Sequence, residues 1–106
     1  MLRKEAVMVI EMKEFGRSLV TRASGRKAYE KIAPMVMSAT ERVVFDFDGV
    51  DTITNSFADE VFGRMVFEVG MDELRARTTF RGIQPFFARV VRSAMDLRES
   101  QRPVPA

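Results

Sequence analysis

Asp46 and Asp48 are the residues whose types and spacing point most directly to chemistry. They follow a hydrophobic run and precede Gly49, in the segment FDFDGV at residues 45–50. Because side chains two apart on a strand lie on the same face, the two carboxylates could share a divalent cation such as Mg²⁺. The alternative interpretation is structural, since Asp and Gly are favoured in the turn that ends a strand.

The residues that the chain lacks exclude several other chemistries. Its 106 residues include no Cys, His or Trp. Without Cys there are no disulfides, thiolate nucleophiles or cysteine-ligated zinc or iron–sulfur sites. Without His there are no imidazole bases or Ser-His-Asp triads, and most transition-metal sites are excluded. Carboxylates, Lys, Arg, hydroxyls and one Tyr remain, so we expect a protein that is not an enzyme and that holds no cofactor or metal.

The segment around Asp46 resembles the first motif of the haloacid dehalogenase-like phosphatases, in which a strand ends in Asp-x-Asp-Gly. The resemblance implies that Asp46 attacks phosphorus, that Asp48 protonates the leaving group and that Mg²⁺ neutralises the phosphate. Here the motif lies in mid-chain, and Asp51 stands where that family has an apolar residue. Residues 51–106 contain no recognisable Lys and paired-Asp segment. These departures favour the turn, and a Mg²⁺-dependent phosphatase remains the alternative function.

Ser56 opens the clearest amphipathic pattern in the chain. The apolar residues after it follow helical spacing and form one stripe: Ala58, Val61, Phe62, Met65, Val66 and Val69. As the N-cap of this helix, Ser56 would accept a hydrogen bond from the Asp59 N–H, worth about 1 kcal/mol. A phosphate suits the same place, because a helix N-terminus presents unpaired N–H groups. Phosphorylation would add about −1.5 to −2 charge beside Asp51, Asp59 and Glu60.

The other elements follow from the alternation and periodicity of apolar residues. Strands are predicted over four stretches: residues 5–12, 19–20, 42–47 and 76–80. A helix is predicted over residues 25–39, with Ser24 as its N-cap candidate and a bend or an end just before Pro34. A last helix begins at Pro85, and residues 50–55 form a loop or a short strand extension.

This order of elements predicts an α/β fold with a small mixed sheet of about four strands and about three helices packed on it. Residues 1–99 form the single domain that the chain length allows. Residues 100–106, with two prolines and no periodicity, form a loose tail. A sheet with so few strands leaves part of one face open to a partner. The apolar stretch near the start is too short for a secretion signal, so we expect a cytoplasmic protein.

The net charge of +2 conceals an acidic middle between two basic flanks. Residues 41–60 contain one Arg and six acidic residues, whereas residues 1–31 contain eight Lys or Arg and residues 61–106 contain eight Arg. The basic residues, including Arg98 on the last helix, are interpreted as solvated faces. Since no clustered basic motif is evident and no apolar run reaches the roughly 18 residues of a membrane span, we expect neither nucleic acid nor membrane as a partner. The oligomeric state stays open.

Residues 43–65, VVFDFDGVDTITNSFADEVFGRM, are similar to the STAS domains of bacterial anti-sigma-factor antagonists, and specifically to the STAS-like branch of unknown function. A hydrophobic strand ends in Asp, a Gly-Val step follows, and a short loop leads to a Ser at the start of a helix. The run Ser-Phe-Ala-Asp-Glu is the most specific part, and Leu19-x-x-Arg22-x-x-Gly25 upstream resembles the same branch. The resemblance extends over residues 15–97.

This resemblance implies a signalling module whose partner is an anti-sigma factor or a histidine-kinase-like ATPase. The antagonists carry a phosphorylatable Ser within Asp-Ser-Ser-Gly-Leu-Gly, and Ser56 keeps that hydroxyl although the Asp, the first Ser and the Gly are replaced here. The partner surface would centre on residues 52–60, and its candidate residues are Arg22, Thr54, Asn55, Phe57, Asp59 and Glu60. Phe57 lies off the apolar stripe, so it would either pack under a loop or serve as an exposed anchor for the partner. A constitutive scaffold without a switch is the alternative among binding proteins.

Overall fold

The computed structural model describes residues 6–104 of the chain. In chain order the elements are β1 (Val7–Glu11), a 3₁₀ turn (Met12–Phe15), β2 (Ser18–Leu19), α1 (Arg22–Ser38), β3 (Arg42–Asp46), β4 (Thr52–Ile53), α2 (Asn55–Ala58), a π-helical segment (Asp59–Gly63), α3 (Arg64–Val69), α4 (Met71–Arg77), β5 (Thr78–Arg81) and α5 (Pro85–Ser100). The α2, π-helical and α3 segments follow without a break and form one helical run over residues 55–69. The α/β class is as predicted.

The strands form two parallel sheets, and the prediction of one mixed sheet of about four strands was wrong. In the larger sheet β3 lies between β1 and β5, with Val44 opposite both Val9 and Thr79. Each step between neighbouring strands crosses over through a helix, which makes the pairs parallel. In the smaller sheet β2 pairs with β4.

The smaller sheet forms because β4 does not continue β3 in the larger sheet but pairs with β2. The Asp51 and Thr52 N–H groups both donate to the Arg17 carbonyl, at 2.7 and 3.3 Å. The Thr54 N–H donates to the Leu19 carbonyl at 3.0 Å. These bonds hold the segment against β2, so the predicted strand extension forms a separate pair.

An aromatic cluster joins the larger sheet to the helical run over residues 55–69. Phe45 of β3 and Phe80 of β5 lie side by side, with ring centroids 5.5 Å apart. Phe62 lies 5.1 Å from Phe45 and 5.4 Å from Phe80, in edge-on geometry. Since such contacts add to the free energy gained by burying the rings, Phe62 fixes the helical run on the sheet.

The predicted N-cap of α1 was wrong, and of the bend or end predicted before Pro34 the end does not occur. Thr21, not Ser24, is its N-cap: Thr21 has extended backbone, and its Oγ1 accepts from the Ser24 N–H at 3.0 Å. The helix continues through Pro34 to Ser38 and does not end before the proline. Pro34 is exposed, so its ring lies on the solvent side of the helix.

The helix α4 was absent from the prediction, in which a strand began at Ala76. Gly70 ends the preceding run with φ +93°, and α4 begins at the next residue. Asp72 and Glu73 lie in its first turn, where they complement the helix dipole. Arg75 and Arg77 lie in its last turn, and this order of acidic and then basic residues was the sequence signal for a helix here. Seven residues are too few to form a clear apolar stripe.

The last helix begins at Pro85, as predicted, and continues to Ser100. Part of the predicted tail is in contact with the domain, since Arg102 donates to the Phe67 carbonyl at 3.3 Å. Residues 105–106 of the predicted tail, and residues 1–5 of the predicted domain, lie outside the described residues. Between residues 6 and 104, none of the helices combines the length and apolarity required to cross a bilayer.

Candidate functional site

The helical run over residues 55–69 is capped by Thr54, and the N-cap role predicted for Ser56 was wrong. Thr54 has extended backbone, and its Oγ1 accepts from the Phe57 N–H at 3.3 Å. The Asp59 N–H, predicted to bond to Ser56 Oγ, donates to backbone carbonyls of the preceding turn. Because Thr54 takes the capping role, the Ser56 hydroxyl is not needed for it.

Ser56 lies in the first turn of this run and lines an open groove of about 510 Å³. Asn55 lines the groove beside it, α5 contributes Ser93 and Leu97, and Gln101 follows directly after α5. Ser56 is partly buried, whereas Leu97 is 57% exposed. This Ser56 groove therefore combines hydroxyl and amide groups with an exposed apolar side chain.

Asp59 also lines the Ser56 groove and joins three segments of the chain by ion pairs. Its Oδ1 accepts from Arg98 Nε at 2.6 Å, and its Oδ2 accepts from Arg98 Nη2 and Arg22 Nη1, each at 2.9 Å. The hydrogen bonds from Arg98 and then from Arg22 hold the pKa of the Asp59 carboxyl below its ordinary value, although partial burial opposes this. Asp59 is thus ionised and tied to both α1 and α5.

Glu60 shares Arg22 with Asp59. Its Oε1 accepts from Arg22 Nη1 at 2.9 Å, and Arg64 lies 3.9 Å from its Oε2. The residue is 8% exposed because α1 approaches closely at Gly25, where an added Cβ would lie 2.8 Å from the Glu60 Cβ. The structure therefore brings the candidates Arg22, Asp59 and Glu60 together, and they form ion pairs within the domain.

The acidic patch expected around Ser56 is neutralised. Four of the six acidic residues in 41–60 lie in ion pairs: Asp46 with Arg81, Asp51 with Arg17, Asp59 with Arg22 and Arg98, and Glu60 with Arg22 and Arg64. Both basic flanks of the sequence thus fold against its acidic middle. The interpretation of Arg98 as part of a solvated face was wrong, since its side chain is 25% exposed and bound to Asp59.

Of the two alternatives for Phe57, the exposed anchor is wrong and the packed side chain is correct. Its side chain is 0% exposed and belongs to the hydrophobic core. The face of the helix that carries it is covered by α1, because an added Cβ on Gly25 would lie 3.4 Å from the Phe57 Cα. Leu97 is the exposed apolar residue beside Ser56. Leu97 follows Val90 and Ala94 at helical spacing, a pattern typical of a buried face, so no local signal predicts its exposure.

The family comparison covers the centre of this site. Residues 24–85 match the family described as a STAS-like domain of unknown function (DUF4325). The chain belongs to this family. No curated protein and no solved structure matched the chain.

The matched range of this STAS-like domain includes Ser56, Asp59 and Glu60 but is narrower than the predicted range of 15–97. It ends at Pro85, where α5 begins. Arg98 and the α5 wall of the groove therefore come from outside the matched residues. No sequence pattern links them to Ser56, since the contact forms only when α5 packs on the helical run.

The Asp46 carboxylate of this STAS-like domain is engaged at the end of β3. Its Oδ1 accepts from the Asp48 N–H at 3.0 Å, and its Oδ2 accepts from Arg81 at 2.9 Å. These bonds, that from Asp48 first, hold the pKa of Asp46 below its ordinary value. Gly49 follows with φ +86°, as a tight turn requires. No group of three or more carboxylates in the described part of the chain is arranged to hold a metal ion.

Proposed function

We propose that this STAS-like domain is a non-enzymatic regulatory module that binds a protein partner at the Ser56 groove. The resemblance to anti-sigma-factor antagonists makes the partner an anti-sigma factor or a histidine-kinase-like ATPase. The observation that carries the proposal is the position of Ser56 in an open groove between the start of the helical run and α5.

The composition of the Ser56 groove supports a protein partner. Leu97 offers an exposed apolar contact, and Asn55, Ser93 and Gln101 offer hydrogen bonds around it. Interfaces commonly combine an apolar anchor with a polar rim. Among the candidate residues, Asn55 is exposed, the Arg22 side chain is 47% exposed, and the partly buried Ser56 lines the groove.

The state of Asp46 supports the non-enzymatic part of the proposal. A phosphatase nucleophile needs a carboxylate oxygen free to attack phosphorus, but both Asp46 oxygens accept hydrogen bonds. We expect no Mg²⁺-dependent hydrolysis of 4-nitrophenyl phosphate above the level of an Asp46→Asn variant. Turnover by the unmodified protein that this variant loses would instead establish the phosphatase.

Phosphorylation of Ser56 is the switch that we propose for this surface. A phosphate in the first turn would meet unpaired helix N–H groups and the positive end of the helix dipole. Arg22 lines the same groove, so the phosphate would compete with Asp59 for its guanidinium. The switch would then act by loosening the contact of α1 with the helical run, and not by deepening an acidic patch.

The modification is tested with ATP and the kinase-like ATPase encoded nearest to the gene. Intact-mass measurement should show one added phosphoryl group, which Ser56→Ala removes and Ser93→Ala retains. Ser93 is the matched control because its hydroxyl lines the same groove. A phosphoryl group that persists in Ser56→Ala would refute the assignment of the acceptor.

Partner binding is tested by calorimetry with the purified anti-sigma factor or ATPase. Ser56→Asp should weaken binding about tenfold or more, since an added charge in an interface costs over 1 kcal/mol. Ser38→Asp, on the exposed end of α1, should leave it unchanged. Equal binding by both variants, together with an unmodified Ser56, would support the constitutive scaffold.

A further inference from the structure

A second cavity lies against a different face of α5 from the Ser56 groove. It is partly open, has a volume of about 370 Å³ and is lined by α4, β5 and α5; we name it the α4–α5 pocket. Its apolar lining includes Met71 of α4, Phe80 of β5, and Val91 and Met95 of α5. β5 is an edge strand of the larger sheet, and Arg42 of the neighbouring strand β3 also lines the pocket.

Three guanidinium groups line the same pocket, and none of its described lining residues is Asp or Glu. Within residues 6–104, Arg42 and Arg75 form no ion pair. Arg42 instead donates to two backbone carbonyls, at 3.4 and 3.3 Å. Arg92 pairs with Asp96 at 3.3 Å, but both side chains are more than half exposed, and such pairs are weak. The pocket therefore presents positive charge that no lining carboxylate balances.

We infer that the α4–α5 pocket binds a small organic anion with an apolar body, such as a medium-chain carboxylate. The apolar walls would remove the body of the ligand from water, and the guanidinium groups would bind its carboxylate. The volume lies within the range of small-ligand sites, about 300–1,000 Å³. Because helices line the pocket on two sides and its volume is small, a small molecule fits it better than an extended peptide. The inference is independent of the function proposed for the Ser56 groove.

The probe is decanoate, with 1-decanol as its uncharged counterpart of equal chain length. Backbone amide shifts of the ¹⁵N-labelled full chain should change saturably with decanoate, and the changes should lie in α4, β5 and residues 88–95 of α5. Decanol should bind about tenfold more weakly, because it cannot form charge-assisted hydrogen bonds with the guanidinium groups.

Arg75→Gln and Arg92→Gln should each weaken decanoate binding about threefold and leave decanol binding unchanged. Arg89→Gln is the matched control: Arg89 lies on the same helix against Phe86 and does not line the pocket. Ala88→Leu, which adds bulk to the lining, should weaken both ligands. The unliganded spectrum of each variant verifies that it is folded.

Three results would overturn the inference. Decanol binding as tightly as decanoate would remove the anionic requirement. Unchanged decanoate affinity in both Arg variants would assign the charge contact to other residues. Shifts confined to the Ser56 groove, or no saturable shifts, would exclude the pocket itself.

Discussion

At the scale of single residues, Asp59 carries more of the site's organisation than Ser56. It accepts hydrogen bonds from Arg98 at 2.6 and 2.9 Å and from Arg22 at 2.9 Å. Its side chain is 19% exposed, so water screens these contacts only in part. These ion pairs hold α1 and α5 against the helical run, which makes Asp59 a positioning residue in the wall of the groove.

The first prediction concerns this carboxylate. Asp59→Asn should lower the free energy of unfolding by about 1–3 kcal/mol, because Arg98 loses its charged acceptor and Arg22 keeps only Glu60. Asp96→Asn, which breaks the exposed pair with Arg92, should cost less than about 1 kcal/mol. Urea denaturation of both variants measures the difference. Equal losses would show that the Asp59 contacts contribute no more than a surface pair.

The second prediction concerns pH and the same residue. The pKa of Asp59 is lower in the folded chain, through Arg98 first, so the unfolded chain binds the proton more tightly. The resulting stabilisation is present above the unfolded pKa of about 3.9 and is lost as the pH falls through the folded pKa. The stability of the unmodified protein should therefore fall below about pH 4, and more steeply than that of Asp59→Asn. The pKa of Asp46 is also lower in the folded chain, so Asp46 adds the same kind of pH dependence to the stability of the unmodified protein and of Asp59→Asn. If urea titrations at several pH values gave the same pH dependence of stability for both proteins, the lowered pKa of Asp59 would be contradicted.

At the scale of elements, the helical run over residues 55–69 contains the π-helical segment Asp59–Gly63 beside the groove. The extra residue in such a turn changes the direction of the side chains that follow it. Gly63 fits there because an added Cβ would lie 2.9 Å from both Asp59 Oδ1 and Arg98 Cγ. The close crossing of α5 at Gly63 thus brings Arg98 to Asp59.

The third prediction concerns α1, which contains Pro34 without a break. The proline lacks the N–H that would bond to the carbonyl four residues earlier, and its ring crowds that carbonyl. Because Pro34 is exposed, Pro34→Ala should raise the free energy of unfolding by about 1–3 kcal/mol without disturbing the core. The neighbouring exposed variant Met35→Ala should change it by less than about 1 kcal/mol. A Pro34→Ala variant no more stable than the parent in thermal and urea unfolding would contradict the expectation.

At the scale of the whole molecule, the two sheets differ in how many neighbours support them. β3 has strands on both sides and buried side chains at Val43 and Phe45. The β2–β4 pair is two residues long and has no third strand among the described residues. Short two-stranded pairs are marginal on their own, so this pair depends on the helices packed against it.

The fourth prediction follows from that difference. Backbone amides of β3 should be among the slowest to exchange with deuterium, because exposing them requires global unfolding. The Thr54 amide, which bonds to Leu19 in the small sheet, should exchange faster through local opening. Hydrogen exchange followed by NMR measures both in one sample. Equal protection of Thr54 and β3 would show that the two sheets unfold as one unit.

The sequence by itself determined the α/β class, the family, the strands around Val44 and Phe80, and the start of α5 at Pro85. These depend on local signals, namely apolar periodicity and turn or cap residues, which lie within a few positions of each other. Only the tertiary structure decided that Phe57 is buried, that β4 pairs with β2, and that the acidic middle is neutralised. The physical reason is distance along the chain: Arg22 and Arg98 lie 37 and 39 residues from Asp59. They meet it only because α1 and α5 pack against the same helical run.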